Sequence, residues 1–125
     1  MADEHNIKIE VQSHYLEEQS SVEANRYVFA YAITITNGGK ESVKLLTRHW
    51  YITDGNNRVE EVSGDGVVGQ QPVIKPGESF HYTSGAILQT ETGTMQGSYG
   101  MISANGEEFR TDIPPFLLSP PRVLH

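Results

Sequence analysis

The chain has 125 residues, no Cys, nine Lys and Arg against sixteen Asp and Glu, and a formal charge of −7. That length is enough for one core, the missing Cys removes disulfides and thiolate zinc sites, and the acidic balance repels phosphate backbones. The nine basic residues are scattered along the chain, so nucleic-acid binding is not expected.

No apolar stretch approaches the roughly 20 residues of a membrane-spanning helix, and residues 1–6 have neither the basic nor the apolar segment of a secretion signal. The expectation is a cytoplasmic protein without membrane insertion. A single domain over residues 1–125 is expected, with residues 119–125 as a loose tail.

Period-two alternation governs the chain. Ile7, Ile9, Val11, Ser13 and Tyr15 form one face of a first strand, and Phe29, Tyr31, Ile33 and Ile35 one face of a second over residues 26–36. Asn37-Gly38-Gly39 ends that strand in residues that tolerate positive φ, where a reversal is expected. Residues 42–53 make a third strand in which Leu46, Arg48, Trp50 and Ile52 share one parity, with Trp50 toward the core. Asp54-Gly55-Asn56-Asn57 is turn chemistry, after which residues 58–62 return as a hairpin partner.

Residues 63–77 contain four Gly and two Pro in fifteen positions and read as a long structured loop. Lys75-Pro76-Gly77-Glu78 suits a tight turn into a strand with Phe80 and Tyr82 on one face, ended by Ser84-Gly85. Residues 86–92 suit an arch between sheets. Asn105-Gly106 joins residues 94–103 to 107–113 as a hairpin, and Pro114-Pro115 limits further ladder bonding, so Phe116-Leu117-Leu118 is an edge segment or a tail packed onto the sheet. About seven short strands and no helix predict an all-β fold, a fibronectin type III or immunoglobulin-like sandwich of two antiparallel sheets.

Gly64-Asp65-Gly66-Val67-Val68-Gly69 matches GxGxxG, but a dinucleotide site needs a helix after it, and Pro72 and Pro76-Gly77 prevent one. A lesser possibility is a nest of backbone N–H groups assisted by Lys75, against a plain turn whose Val67-Val68 dock on the sandwich end. His14, His49 and His81 lie on strands without a same-face pair two residues apart, so no metal site is expected. No GxSxG elbow is present and no carboxylate pair stands out, so no catalytic residue and no cofactor are assigned. Arg48 is the charged residue on core-facing parity. It reads as a stem along apolar surface or a buried ion pair, and with His49 it is the secondary candidate for binding.

The chain resembles the ApaG family through Tyr15-Leu16-Glu17-Glu18-Gln19-Ser20, Phe29-Ala30-Tyr31, Arg48-His49-Trp50, Ile52-Thr53-Asp54, the glycine run through Gln70-Gln71-Pro72, Tyr82-Thr83-Ser84-Gly85 and Gly93-Thr94-Met95-Gln96-Gly97-Ser98-Tyr99. That resemblance implies a fibronectin type III-like sandwich and no established enzyme activity. It also implies an association with cobalt and magnesium resistance and efflux, and a gene often beside a diadenosine tetraphosphate hydrolase. Eukaryotic copies are domains of F-box proteins and of a polymerase-delta-interacting protein, which implies protein–protein interaction. The expectation is a non-enzymatic module that contacts a protein partner through sheet edges and the loop of residues 63–72, with Gly64, Asp65, Gly66, Val67, Val68 and Gly69 as the binding loop and Arg48 as a further contact. The alternative is a nucleotide or pyrophosphate ligand held by the same loop.

Overall fold

The computed structural model describes residues 5–121. Its elements are β1 (Ile7–Tyr15), a short 3-10 turn (Glu17–Gln19), β2 (Tyr27–Asn37), β3 (Val43–Asp54), β4 (Val59–Asp65), β5 (Val73–Ile74), β6 (Ser79–Leu88), β7 (Gly93–Ser103) and β8 (Glu108–Leu118). A three-stranded sheet has the order β1-β2-β6, and a second sheet has the order β4-β3-β7-β8 with β5 beside β3. All pairings are antiparallel. The expected sandwich is therefore present, with eight strands in place of about seven, the additional one being the two-residue β5.

Alternation explains the core. Phe29, Tyr31, Ile33 and Ile35 are all buried on β2, facing Val43, Leu45, Trp50, Met95, Tyr99 and Met101 of the opposite sheet. Trp50 stands edge-on to Tyr31 (5.5 Å between ring centres), Phe116 (5.9 Å) and Tyr99 (6.4 Å), joining four strands in one aromatic cluster. The hairpins at Asp54-Gly55-Asn56-Asn57 and Asn105-Gly106 form where expected. Asp54 Oδ1 accepts from the amides of Asn56 (2.8 Å) and Arg58 (3.0 Å).

Four expectations need correction. The register of β3 against β7 shifts between Leu45 and Thr47, so Leu46 is an extra, bulged residue. Val43 and Leu45 are buried before the shift and Trp50 after it, so Leu46 does not share the inward face of Arg48 and Trp50. The long loop is shorter than expected at both ends, because β4 continues through Gly64 and Asp65, paired with Arg48 and Thr47, and β5 follows at Val73–Ile74. β6 does not stop at Ser84-Gly85; β2 templates it to Leu88, leaving residues 89–92 to cross between sheets. At Asn37-Gly38-Gly39 the chain changes sheet instead of reversing within one, and neither glycine has positive φ. Buried Asn37 organises that crossing, its Nδ2 donating to Glu41 O (2.8 Å) and Ile74 O (2.9 Å).

β8 runs through Pro114-Pro115 as an edge strand, where a missing ladder donor is harmless. Ser13 Oγ on β1 donates to Leu117 O on β8 (3.0 Å), and the Tyr82 hydroxyl on β6 bonds that of Tyr99 on β7. A five-stranded sheet thus packs on a three-stranded one, and β4, none of whose residues is buried, is an outer strand of the larger sheet. Within the described residues no helix is long and apolar enough to cross a membrane. Of the expected loose tail, residues 122–125 lie outside the described residues.

Candidate functional site

The glycine-rich segment is a clamped finger. At its tip Val67 N–H donates to Gln70 O (2.8 Å) and Gln70 N–H to Val67 O (2.9 Å), closing a two-residue turn. Both central residues are left-handed, Val68 at φ 48° and Gly69 at φ 74°, which is type I′ geometry. Gly69 adopts it freely, whereas a β-branched residue does so against its own Cβ sterics. Val68 is also 60% exposed, so no packing within the domain compensates.

The base of the finger is fixed from two sides. The bulge frees Leu46 O to accept both Gly66 N–H (2.8 Å) and Gln71 Nε2 (2.9 Å), and Leu45 N–H donates to Pro72 O (3.0 Å). Arg48 Nη1 donates to Asp65 O (2.9 Å) and Gly66 O (3.0 Å). Val67 plugs the sandwich end at 1% exposure, so only one of the two expected valine contacts is available to a partner. The dinucleotide geometry is absent, since a strand and not a helix follows. A nest of consecutive free amides is curtailed as well. Gly66 and Val67 N–H are spent on Leu46 O and Gln70 O, which leaves Val68 and Gly69.

Arg48 and His49 point to opposite faces. His49 lies on the outer face of the larger sheet, its Nε2 2.6 Å from Glu61 Oε2 and its ring stacked on Tyr51 at 4.7 Å. The fold therefore joins Arg48 to the loop and leaves His49 out. His81 Nδ1 pairs with Thr34 Oγ1 (2.9 Å) on the exposed face of the smaller sheet. Among the described residues no group of three or more His, Asp or Glu is placed to hold a metal ion.

Sequence reasoning misses a tyrosine cluster beside Arg48, in which Tyr31 and Tyr99 are buried and Tyr82 is half-buried. Burial raises the Tyr31 hydroxyl above its ordinary pKa, opposed by a Ser84 hydrogen bond and by the Arg48 charge. Burial likewise raises Tyr82, opposed by its bond to Tyr99 and by Arg48, and it raises Tyr99 further, with Tyr82 adding to the shift. The parity of Tyr31 and Tyr82 with Ile33 and Phe80 carries the signal that these hydroxyls face inward.

Two antiparallel sheets, a Trp-centred core and a loop clamped to the end of the sandwich define a fibronectin type III-like domain. A family model described as the ApaG domain, DUF525, matches residues 17–103. Protein ApaG of Stenotrophomonas maltophilia (strain K279a) is 52% identical over 124 residues, covering 99% of this chain and 98% of that protein. Protein ApaG of Dechloromonas aromatica (strain RCB) is 53% identical over 127 residues, covering 100% of both. The crystal structure of a Bordetella pertussis protein described as ApaA superposes with a TM-score of 0.92 at 48% identity, covering 94% of this chain and 96% of that one. The chain belongs to the ApaG family.

Proposed function

We propose that this domain is a non-catalytic, cytoplasmic binding module that engages a protein partner through the tip of the clamped finger. The observation that carries the reading is Val68, an exposed apolar side chain held in a left-handed conformation. Such strain lowers stability and is kept where the side chain serves something outside the fold. The clamps from Leu46 O and Arg48 reduce the ordering cost on binding, as a preorganised contact requires. Any bearing on cobalt or magnesium resistance then runs through the partner.

A photo-crosslinking residue at Gln70 tests this in the native cells, with one at Glu91 as control. A discrete adduct is expected from position 70, lost in a Val68→Gly variant. The same adducts from both positions, or a Gln70 adduct indifferent to Val68→Gly, overturn the reading. Titration with ATP or diadenosine tetraphosphate, with Mg²⁺ or Co²⁺, is expected to leave the amide resonances of Gly64, Gly66 and Gly69 in place. Movement there replaces protein binding with nucleotide or pyrophosphate binding.

A further inference from the structure

The four outer strands of the sandwich are not equally protected against pairing. β1 carries Lys8 and Glu10 and is tied to β8 by Ser13. β4 carries Glu60, Glu61 and Asp65, and β8 carries Arg110, Asp112 and two prolines. β6, over all ten residues of Ser79–Leu88, has no Asp, Glu, Lys, Arg or Pro. Charges and prolines are the devices that keep sheet edges from pairing, and among these outer strands, the two-residue β5 aside, β6 alone lacks both.

The space beside β6 is also roofed. β4 overhangs it, turning Glu60, Val62 and Gly64 inward, on the side of Ile52, Trp50 and Arg48 to which they are paired. One end of the slot is a cavity of about 390 Å³ whose lining includes Ile52, Val59, Glu60, Ile87 and Leu88. At the other end is Arg48, the guanidinium of which packs against Gly64. Both charged residues have unused capacity among the described residues. Glu60 has no ion pair, and the hydrogen bonds of Arg48 all come from Nη1, leaving Nε and Nη2. Glu60 is exposed, so it and the half-used Arg48 offer opposite charges to a strand laid beneath β4.

We propose that an extended segment of a partner protein adds to the free edge of β6 as the fourth strand of the smaller sheet, beneath β4. Backbone hydrogen bonds to β6 supply affinity and alternate side chains supply specificity. Glu60, Val62 and Gly64 are successive same-face positions. The segment therefore presents Lys or Arg toward Glu60, an apolar residue two positions away toward Val62, and an Asp or Glu two positions further toward Arg48. A second copy of this chain does not fit. Its own overhanging β4 would enter the same space, and two chains of charge −7 repel. This surface is separate from the Val68 tip.

The test is selection of phage-displayed random decapeptides on the full chain, followed by amide-shift mapping with a synthetic copy of the most enriched peptide. The expected peptides carry opposite charges four positions apart with an apolar residue midway, and they shift residues of β6. Glu60→Lys is expected to weaken the peptide about ten-fold or more, whereas Glu61→Lys, on the opposite face, and Val68→Gly change it by less than about two-fold. Circular dichroism checks that each variant is folded, which exposed positions permit. No enrichment, shifts centred on His49 and Tyr51 or on Val68, or a Glu60→Lys variant that binds as well as the parent overturns the proposal. So does a β6-mediated dimer seen by light scattering.

Discussion

The Arg48 guanidinium lies flat against the Cα of Gly64, its partner across the β3–β4 ladder. A Cβ built on Gly64 would sit 3.0 Å from Nη1, 3.0 Å from Nη2 and 3.1 Å from Cζ. Three nearly equal distances mean that the plane faces the glycine, and from there Nη1 reaches the carbonyls of Asp65 and Gly66. The glycine in this edge strand is thus explained by a close approach, and the GxGxxG pattern by the clamp on a finger.

Gly64→Ala is expected to cost about 1–2 kcal/mol, because the flexible Arg48 tip moves aside at the expense of its two carbonyl bonds. In an Arg48→Ala background those bonds are already gone and the same substitution should cost less. A double-mutant cycle by urea denaturation measures the coupling. Strict additivity would mean that the Arg48–Gly64 packing carries no energy.

Val68→Asn is expected to raise stability by about 0.5–1 kcal/mol, since Asn tolerates the left-handed region that the first position of a type I′ turn demands. The same change should abolish the Gln70 crosslink. A more stable variant that no longer crosslinks marks Val68 as a residue kept for binding. A lowered thermal midpoint would show that Val68 is not strained.

Much of the fold is legible because the signals are local. Alternation locates β1 and β2, and Asn105-Gly106 locates the β7–β8 hairpin. The bulge is not legible, since Leu46 is an ordinary strand residue and nothing marks it as the one left unpaired. Alternation gives the inward parity of Arg48 correctly and that of Leu46 wrongly, because the shift lies between them. The finger's hydrogen bonds depend on Leu46 O, about twenty positions upstream, so no reading of residues 63–77 alone locates the spent amides. Positive φ at Val68 is hidden for another reason. Glycine-rich composition suggests that glycines take every left-handed position, and here the valine takes one of them.

Asn37 should be among the least tolerant positions. Its side chain is fully buried and donates to two carbonyls from different connections, Glu41 O and Ile74 O, while Oδ1 accepts from Gly39 N–H (2.9 Å). Asn37→Ala leaves these groups unpaired and is expected to cost about 2–3 kcal/mol. Asn37→Asp should be worse at neutral pH, since it sets a carboxylate against two carbonyl oxygens. Denaturation midpoints give the order, and an Asp variant as stable as the parent would contradict the hydrogen-bond assignment.

The tyrosine cluster makes the domain sensitive to alkali. Tyr31, Tyr82 and Tyr99 have folded pKa values raised above the ordinary 10.0, with burial the largest cause for each. Below pH 10 both the folded and unfolded chains keep these protons, and the stability associated with them is fully present. Above it the unfolded chain loses protons that the folded chain retains, so stability falls as pH rises, by about 1.4 kcal/mol per pH unit for each group. The decline from each group continues until its own folded pKa is reached, so it extends further for Tyr82 and Tyr99, the more strongly raised, than for Tyr31. Ultraviolet titration should therefore show the phenolates of Tyr31, Tyr82 and Tyr99 forming only above the ordinary range, together with loss of near-ultraviolet circular dichroism. Tyr82→Phe removes one retained proton and should make the decline with pH shallower. It also deprives the Tyr99 hydroxyl of its partner, at a cost of about 1 kcal/mol at neutral pH. Tyr31, Tyr82 and Tyr99 titrating reversibly near pH 10 with the fold intact would place their hydroxyls in water instead of between the sheets.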